Sequence, residues 1–183
     1  MVRIISIIVL QMSSIIGYNP IHLNPADLIQ CVGQSFNEQK AFAVADFTEP
    51  PSTIEDDYGL VRIRKTLKNA KRFTLFGIPA KEIHLALDSA DKILAVFVRL
   101  DNKDLVKKME KAIGDEYMGI SVTPGDVEAP PSYYLWDYKG NCVSLTLYAN
   151  QRMFVTEIPP DDGLVTFFNC DPDSYMDFGE EKE

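Results

Sequence analysis

The stretch that decides the fold is Glu82-Ile-His-Leu-Ala-Leu-Asp-Ser-Ala-Asp-Lys-Ile-Leu-Ala-Val-Phe-Val-Arg-Leu100. It contains two apolar runs, Glu82 to Leu87 and Lys92 to Leu100, which are separated by the turn-forming residues of Asp88-Ser-Ala-Asp91. Short runs rich in β-branched residues and bounded by turn residues are typical of strands, so the stretch predicts two paired strands. Both alternating sets of the second run are largely apolar, so we expect that strand to lie in the centre of a sheet.

Further signals surround this pair of strands. Phe73 to Phe76 precedes it as a third strand of a β-meander, and Lys103 to Ile113 follows it as an amphipathic helix capped by Asn102 and ended by Gly114. Four more strands are then predicted: Ser132 to Tyr138, Cys142 to Tyr148, Arg152 to Ile158 and Leu164 to Asn169. Strands, one helix and strands again predict an α+β fold, with an antiparallel β-sheet covered on one face by helices.

The N-terminal half is less regular. Asn24 and Pro25 predict a helix that runs to about Phe36, with Asn24 as its N-cap. Ala41 to Phe47 then suggests a short strand, and the two prolines in Thr48 to Asp57 predict a loop without regular pairing. Gly59 to Lys71 fits a helical stripe better than a strand, although Val61 and Ile63 would also suit a strand.

These elements divide the chain into four parts: residues 1–17 as a possible signal peptide, 18–58 as a helix-strand segment with a Pro-rich loop, 59–170 as the α+β domain, and 171–183 as an acidic tail. The early cation and the apolar run of residues 1–17 resemble a secretory signal, which predicts a periplasmic or secreted protein beginning near Tyr18. The alternative is a cytoplasmic protein in which the same run is a core strand. The run is too short and too interrupted by polar residues for an integral membrane span.

Charge and cysteine content narrow the possible partners and cofactors. The formal net charge of −9 makes nucleic acid an unfavourable partner. The three cysteines Cys31, Cys142 and Cys170 lack the spacing of a zinc or redox pair, so no metal and no cofactor is expected. Buried thiols are the simplest interpretation. If the protein is exported, Cys142 and Cys170 are the most plausible disulfide pair, because both lie at ends of predicted strands.

A family resemblance enters at this point. The run Phe76-Gly-Ile-Pro-Ala-Lys-Glu-Ile-His-Leu-Ala-Leu87, the strand beginning at Lys92, a helix, and Tyr133-Tyr-Leu-Trp-Asp-Tyr-Lys-Gly-Asn-Cys-Val-Ser-Leu145 follow in order. This order resembles a repeat unit of the β-lactamase-inhibitor-protein-like exported proteins, and more broadly the small outer-membrane-assembly lipoproteins. The resemblance covers about half of the chain and implies a protein that binds other proteins.

Catalytic signals are sparse. His84 lies on a predicted strand, where a partly exposed residue on the polar sheet face is the simplest interpretation. The pairs Asp56-Asp57 and Asp161-Asp162 lie beside prolines or glycines, where aspartates commonly stabilise turns. No catalytic residue is therefore assigned. The alternative function is a small hydrolase that uses these loop carboxylates and His84. A second alternative is an acidic, cytoplasmic, immunity-like protein that binds a basic toxin.

An aromatic sheet face is the most informative surface. Tyr134, Trp136 and Tyr138 share one side of a predicted strand, because side chains alternate along a strand. If that side is open, it would carry residue types that are enriched in protein interfaces. The predicted protein-binding residues are Tyr134, Trp136, Tyr138, Tyr148, Phe97, Arg99 and His84. We therefore expect a non-enzymatic, exported module that binds another protein.

Overall fold

The computed structural model describes residues 19–48, 51–55, 61–121, 133–147 and 161–170. The first half contains β1 (Ile21–Leu23), α1 (Pro25–Cys31), β2 (Ser52–Glu55), β3 (Val61–Thr66), a 3-10 turn (Ala70–Arg72), β4 (Phe73–Leu75), β5 (Ile78–Pro79) and β6 (Glu82–Leu87). The second half contains β7 (Ile93–Asp101), α2 (Leu105–Ile113), β8 (Gly119–Ser121), β9 (Tyr133–Tyr138), β10 (Asn141–Leu147) and β11 (Asp162–Phe168).

The principal sheet has eight strands in the order β2-β3-β6-β7-β11-β10-β9-β8, and each pair of neighbours is antiparallel. The predicted antiparallel α+β fold and the central position of β7 are therefore confirmed. A second, three-stranded sheet has the order β1-β4-β5, with β1 and β4 parallel. Phe73–Leu75 belongs to this smaller sheet, so its predicted place in a meander beside β6 is wrong.

One face of the principal sheet, here called the inner face, carries the main hydrophobic cluster. Register places Trp136 opposite Val143 and Val165 opposite Val98, and none of these four side chains is exposed. Leu28 of α1 belongs to the same cluster, as do Leu105 and Met109 of α2. Both helices therefore bury apolar side chains with the inner-face residues.

The opposite face, here called the outer face, carries the residues that alternate with the inner set. Strand register assigns to it the following side chains: Arg64, Thr66, Glu82, His84, Ala86, Ala95, Phe97, Arg99, Leu164, Thr166, Phe168, Cys142, Ser144, Thr146, Tyr133 and Leu135. A second, smaller hydrophobic cluster lies there, centred on Ala95 and Phe97.

Both helices form for reasons present in the sequence. The Asn24 side chain accepts a hydrogen bond from the Ala26 backbone N–H at 3.0 Å, as predicted for an N-cap followed by proline. The N-cap of α2 is Asp104, which has a left-handed φ of 57°, and the Asn102 carbonyl accepts a hydrogen bond from the Leu105 N–H at 3.0 Å. The predicted N-cap at Asn102 is therefore wrong by two residues. Gly114 follows the helix with a φ of 131°, as its predicted stop.

Tertiary contacts override local preference in the N-terminal half. The first helix ends at Cys31, before the predicted Phe36. Ala41 to Val44 form turns and Phe47 makes an isolated bridge with Leu67 in place of the predicted strand from Ala41 to Phe47. The Phe36 and Phe47 rings pack edge to face at 5.1 Å.

The favoured helix over Gly59 to Lys71 is also wrong. Val61–Thr66 is a strand whose Ile63 pairs with Leu87, since the edge of β6 offers backbone hydrogen bonds that an isolated helix cannot match. Residues 52–55 pair with it as an edge strand, although a loop was predicted there. Pro51 lies just before that strand, where its missing N–H costs no ladder bond.

The N-terminal segment does not form a separate core among the described residues, because Leu23, Leu28 and Phe42 share one hydrophobic cluster with Trp136. Several predicted features lie outside the described residues: the signal segment 1–17, the strand Arg152 to Ile158, and the tail 171–183. Neither described helix has both the length and the apolar character needed to cross a bilayer.

Candidate functional site

The residues predicted to bind a partner divide between two faces of the sheet. Tyr134, Trp136 and Tyr138 lie on the inner face, whereas His84, Phe97 and Arg99 lie on the outer face. Tyr148 lies outside the described residues. Trp136 is 0% exposed, so the expected single open face that contains both groups is wrong. The physical reason is that Trp136, and not Leu135, points towards the apolar layer that includes α2.

The inner-face aromatic residues form a packed cluster with a residue that the sequence analysis did not select. Tyr117 contacts Trp136 with ring centroids 5.1 Å apart and Tyr134 at 5.4 Å, and Tyr134 stacks on Trp136 at 5.8 Å. The Trp136 indole donates a hydrogen bond to the Gly114 carbonyl at 3.0 Å. This cluster attaches the end of α2 to β9, which is a structural role.

Tyr117 completes this cluster through a polar contact. Its hydroxyl donates a hydrogen bond to Glu110 on α2. Burial raises the pKa of the Tyr117 hydroxyl, and the hydrogen bond to the Glu110 carboxylate raises it further. The phenol therefore stays protonated and acts as a hydrogen-bond donor.

A row of polar contacts crosses the outer face, starting at His84. The His84 ring nitrogens lie 3.0 Å from the Thr66 hydroxyl and 3.1 Å from a Glu82 carboxylate oxygen. His84 is only 3% exposed, so burial lowers its pKa, opposed by Glu82 and assisted by the cationic Arg64 and Arg99. The structure therefore holds a buried imidazole, in contrast to the partly exposed residue that the sequence predicted.

The row continues through Arg99 to β11. The Arg99 guanidinium donates to Glu82 at 2.9 Å, and its Nε lies 3.7 Å from an Asp162 oxygen, too far for a hydrogen bond. Lys81 donates to Asp162 and lies 3.9 Å from Asp101. Asp162, expected to stabilise a turn, is instead the first residue of β11, 4% exposed and paired. Buried charges need such partners.

The apolar part of the outer face adjoins a covalent link. The buried side chains of this part are Ala86, Ala95, Phe97, Leu164 and Phe168. Cys142 of β10 forms a disulfide with Cys170, two residues after β11, with the Cα atoms 4.9 Å apart. The predicted cysteine pair is therefore confirmed. The bond joins neighbouring strands at one end of the sheet.

The most accessible apolar part of the outer face lies on β9 and β10, away from the disulfide. Tyr133 and Thr146 are half-buried at the opposite end of these strands, and half-buried Leu135 lies between them and the smaller hydrophobic cluster, against which it packs. Burial raises the pKa of the Tyr133 hydroxyl, and a hydrogen bond with Ser144 opposes that shift. Tyr133 and Leu135 were not among the predicted binding residues, because the alternate residues of the same strand were predicted instead. Only the tertiary contacts of Trp136 show which of the two sets faces the core.

A cleft of about 350 Å³ lies beside α1 and the turns that follow it, lined by Asp27, Gln30, Cys31, Gln34, Glu38, Lys40 and Ala41. The thiol of Cys31, one of the lining residues, donates a hydrogen bond to the Asp27 carbonyl at 3.1 Å. Burial is the main cause that raises the pKa of this thiol. Cys31 is thus a protonated, buried thiol, as the sequence predicted, and it lacks the thiolate character of a nucleophile.

Within the described ranges, no group of three or more histidine, cysteine, aspartate or glutamate side chains could hold a metal ion. The acidic pair Asp56-Asp57 lies outside those ranges. Comparisons with protein-family models, with curated protein sequences and with solved structures gave no match to this chain.

Proposed function

We propose that the protein is a non-enzymatic, exported module that binds another protein through the outer face of its principal sheet. In this proposal the two helices cover the inner face, and the partner contacts the half-buried end of the outer face. The observation that carries the proposal is the grouping of Tyr133, Leu135 and Arg99 on that face, each half-buried. Tyrosine and arginine are enriched among residues that dominate interface energies.

The surroundings of Arg99 support a role in recognition. Its guanidinium is held by Glu82 at 2.9 Å, and its side chain is 26% exposed beside the more exposed Lys81 and Asp101. A guanidinium that is already oriented loses less conformational freedom when a partner binds. The rim also contains both signs of charge, which favours selection of a partner by complementary charge.

The state of His84 supports a non-enzymatic role over the hydrolase alternative. A general base must reach a substrate proton, whereas both His84 ring nitrogens already contact Thr66 and Glu82 and the residue is 3% exposed. Asp162 is paired with Lys81 and Arg99, so it is not poised beside the imidazole. This arrangement favours a structural role for the polar row.

The disulfide supports export. Disulfides persist in oxidising compartments and are rare in the cytosol, so the Cys142–Cys170 bond favours a periplasmic or secreted protein over a cytoplasmic immunity-like one. The apolar start of the sequence points the same way. The resemblance to β-lactamase-inhibitor-protein-like exported proteins implies a similar role and stays a prediction.

A comparative pull-down from the native host tests the binding proposal. Wild type and Lys108→Ala, which changes an exposed position on α2, serve as positive baits, and Tyr133→Ala and Arg99→Lys serve as outer-face variants. The proposal expects at least one protein that both positive baits retain and both outer-face variants lose. Equal retention by all four folded baits would refute the outer face as the binding surface.

Export has a separate test. Intact-mass measurement of the protein purified from its host should give a chain that begins near Tyr18 and contains one disulfide between Cys142 and Cys170. A soluble native protein that retains Met1 and has all cysteines reduced would refute export while leaving the binding test unaffected.

A further inference from the structure

The β2–β3 side of the principal sheet is held by few buried side chains. Within the described part of the chain, β2 is an end strand and β3 separates it from β6. The side chains of residues 63–66 on β3 are all half-buried, and those of Ser52 and Thr53 on β2 are exposed. In β6, by contrast, every side chain from Ile83 to Leu87 is buried. Strands that bury little apolar area open at low free-energy cost, so β2 and β3 can separate locally without unfolding the rest of the sheet.

His84 connects β6 to β3 on the outer face. Its Nδ1 lies 3.0 Å from the Thr66 hydroxyl across the strand pair, and its Nε2 lies 3.1 Å from a Glu82 carboxylate oxygen. An ionised carboxylate only accepts hydrogen bonds, so the ring proton lies on Nε2, and Nδ1 accepts from Thr66. Both hydrogen bonds are therefore complete with a neutral imidazole. A second ring proton would remove the acceptor that the Thr66 hydroxyl uses.

Charged groups lie on both sides of this ring. Register places Arg64 of β3 and Arg99 of β7 diagonally beside His84 on the outer face. Burial is the largest cause that lowers the pKa of His84, and both guanidinium groups add to it, against the opposing effect of Glu82. Among the described side chains, Glu82 is the one carboxylate that contacts the ring, and Arg99 already donates to its other oxygen at 2.9 Å.

The remaining partners on this face offer no further carboxylate to the ring. Asp162, at the start of β11, is paired with Lys81. On the β3 side, the Arg64 Nε donates to the Ser52 hydroxyl at 3.0 Å, which is a neutral partner. Protonation of His84 would thus place a second cation beside Arg64 without a carboxylate between them. Separation of β3 from β6 moves these two cations apart, so it relieves the repulsion.

We propose that protonation of His84 releases β2 and β3 from β6, so that acid opens this side of the principal sheet while the rest of the fold stays intact. Opening removes Arg64 from beside the imidazolium and lets water bond to the Thr66 hydroxyl. The separation ends at Leu67, which is 4% exposed and whose N–H donates to the Ile83 carbonyl at 3.0 Å. Acid therefore changes the edge strand of the sheet from β2 to β6. This inference does not depend on the proposed binding partner.

The size of the effect follows from proton linkage. In the opened sheet His84 regains its ordinary pKa of 6.5, whereas in the closed sheet its pKa is lower. The closed sheet is therefore fully favoured above pH 6.5 and loses that advantage as the pH falls below this value. An imidazole that stays neutral in the closed sheet raises the equilibrium constant for opening by about 30-fold between pH 7.5 and pH 5, so we expect a rise of roughly 10- to 30-fold.

Amide hydrogen exchange at pH 7.5 and pH 5, measured by nuclear magnetic resonance on the full-length, oxidised chain, tests the proposal. Protection factors remove the pH dependence of the intrinsic exchange rates. The Leu67 to Ile83 hydrogen bond sets the alternation of the ladder, so the amides of Lys65 and Ile63 point to β6. These two amides should lose about 10- to 30-fold of their protection at pH 5, whereas the amides of β10 and β11 should not.

Three variants assign the effect to the imidazole. His84→Gln cannot gain a proton, so the loss of protection at pH 5 should disappear. Arg64→Gln removes the cation beside the ring and should reduce the loss. Lys108→Gln removes a cation from the exposed side of α2 and should leave the loss unchanged. The Trp136 indole N–H, which is hydrogen-bonded on the inner face, reports whether each variant remains folded.

Three results would overturn the proposal. The first is unchanged protection of Lys65 and Ile63 at pH 5 in the wild type. The second is an equal loss in β10 and β11, which would mean that acid acts through global unfolding. The third is a loss that persists in His84→Gln or that is the same in Arg64→Gln as in Lys108→Gln. The Arg64→Gln comparison remains decisive if His84→Gln does not fold.

Discussion

Replacing Trp136 by alanine should separate the two faces of the sheet by their contribution to stability. Trp136 is 0% exposed, packs on Tyr117 and Tyr134 at centroid distances of 5.1 and 5.8 Å, and donates to the Gly114 carbonyl at 3.0 Å. Truncating a core tryptophan costs about 3–5 kcal/mol, and loss of the hydrogen bond adds about 1 kcal/mol. A domain of this size has about 5–15 kcal/mol in total, so Trp136→Ala should remove a large fraction of the free energy of unfolding.

The matched controls are Leu135→Ala and Trp136→Phe. Leu135 is half-buried on the outer face, so its truncation should cost about 1–2 kcal/mol. Trp136→Phe keeps an aromatic ring and loses the indole donor, so we expect an intermediate cost of about 2 kcal/mol. Urea unfolding followed by circular dichroism suits all three variants, because Trp136 is the chain's single tryptophan and its fluorescence disappears on substitution. A larger loss from Leu135→Ala than from Trp136→Ala would refute the assignment of faces.

Three further predictions concern other elements. Met109→Asp should cost several kcal/mol, because Met109 is 0% exposed, whereas exposed Lys108→Asp should change the melting temperature little; equal melting temperatures would contradict the helix phase. Cys170→Ser opens a disulfide that closes a 28-residue separation and should remove about 3–4 kcal/mol in urea unfolding, while equal stability in oxidised and reduced protein would contradict a structural bond. The pKa of His84 is lowered in the folded state, so the contribution of its neutral imidazole to folding stability is complete above the unfolded pKa of 6.5 and is lost as the pH falls below that value. His84→Gln should therefore reduce the difference in the free energy of unfolding between pH 7.5 and pH 5. An unchanged difference would count against the buried neutral imidazole.

Strong local periodicity made part of the fold predictable from sequence. The apolar seam of Leu105 and Met109 predicted α2, and the alternation in Glu82–Leu87 and Ile93–Asp101 predicted the central strands. Val61–Thr66 was not predictable in the same way, because its sequence also fits a helix and only its pairing with β6 makes it a strand. The local sequence pattern therefore predicted the secondary structure of elements with one clear apolar face. It failed for an element whose secondary structure depends on pairing with a neighbouring strand.

The site was only half predictable for a related reason. Alternation correctly placed Tyr134 and Trp136 together, but a period of two cannot say which set faces the core. The apolar character of Leu135 and Trp136 is similar, so neither hydropathy nor spacing distinguishes them. The answer depends on Tyr117 and Gly114, which contact Trp136 from the end of α2 about twenty residues earlier in the chain.

The same two-residue alternation explains why the inner face is apolar and the outer face carries the polar row and the disulfide. Trp136 faces the end of α2, and strand register then places its partner Val143 on the same inner face. The same register places Phe167 opposite Val143 and Val96 opposite Phe167 on that face. Every alternate residue then falls on the outer face, where a His84 to Lys81 polar row and a disulfide appear beside apolar side chains. A change that reversed the Trp136 contact would therefore move buried charges into the main hydrophobic cluster, at a cost of several kcal/mol for each unpaired ion. The charges of the outer face therefore oppose the reversed assignment of faces, in addition to the aromatic packing of the inner face.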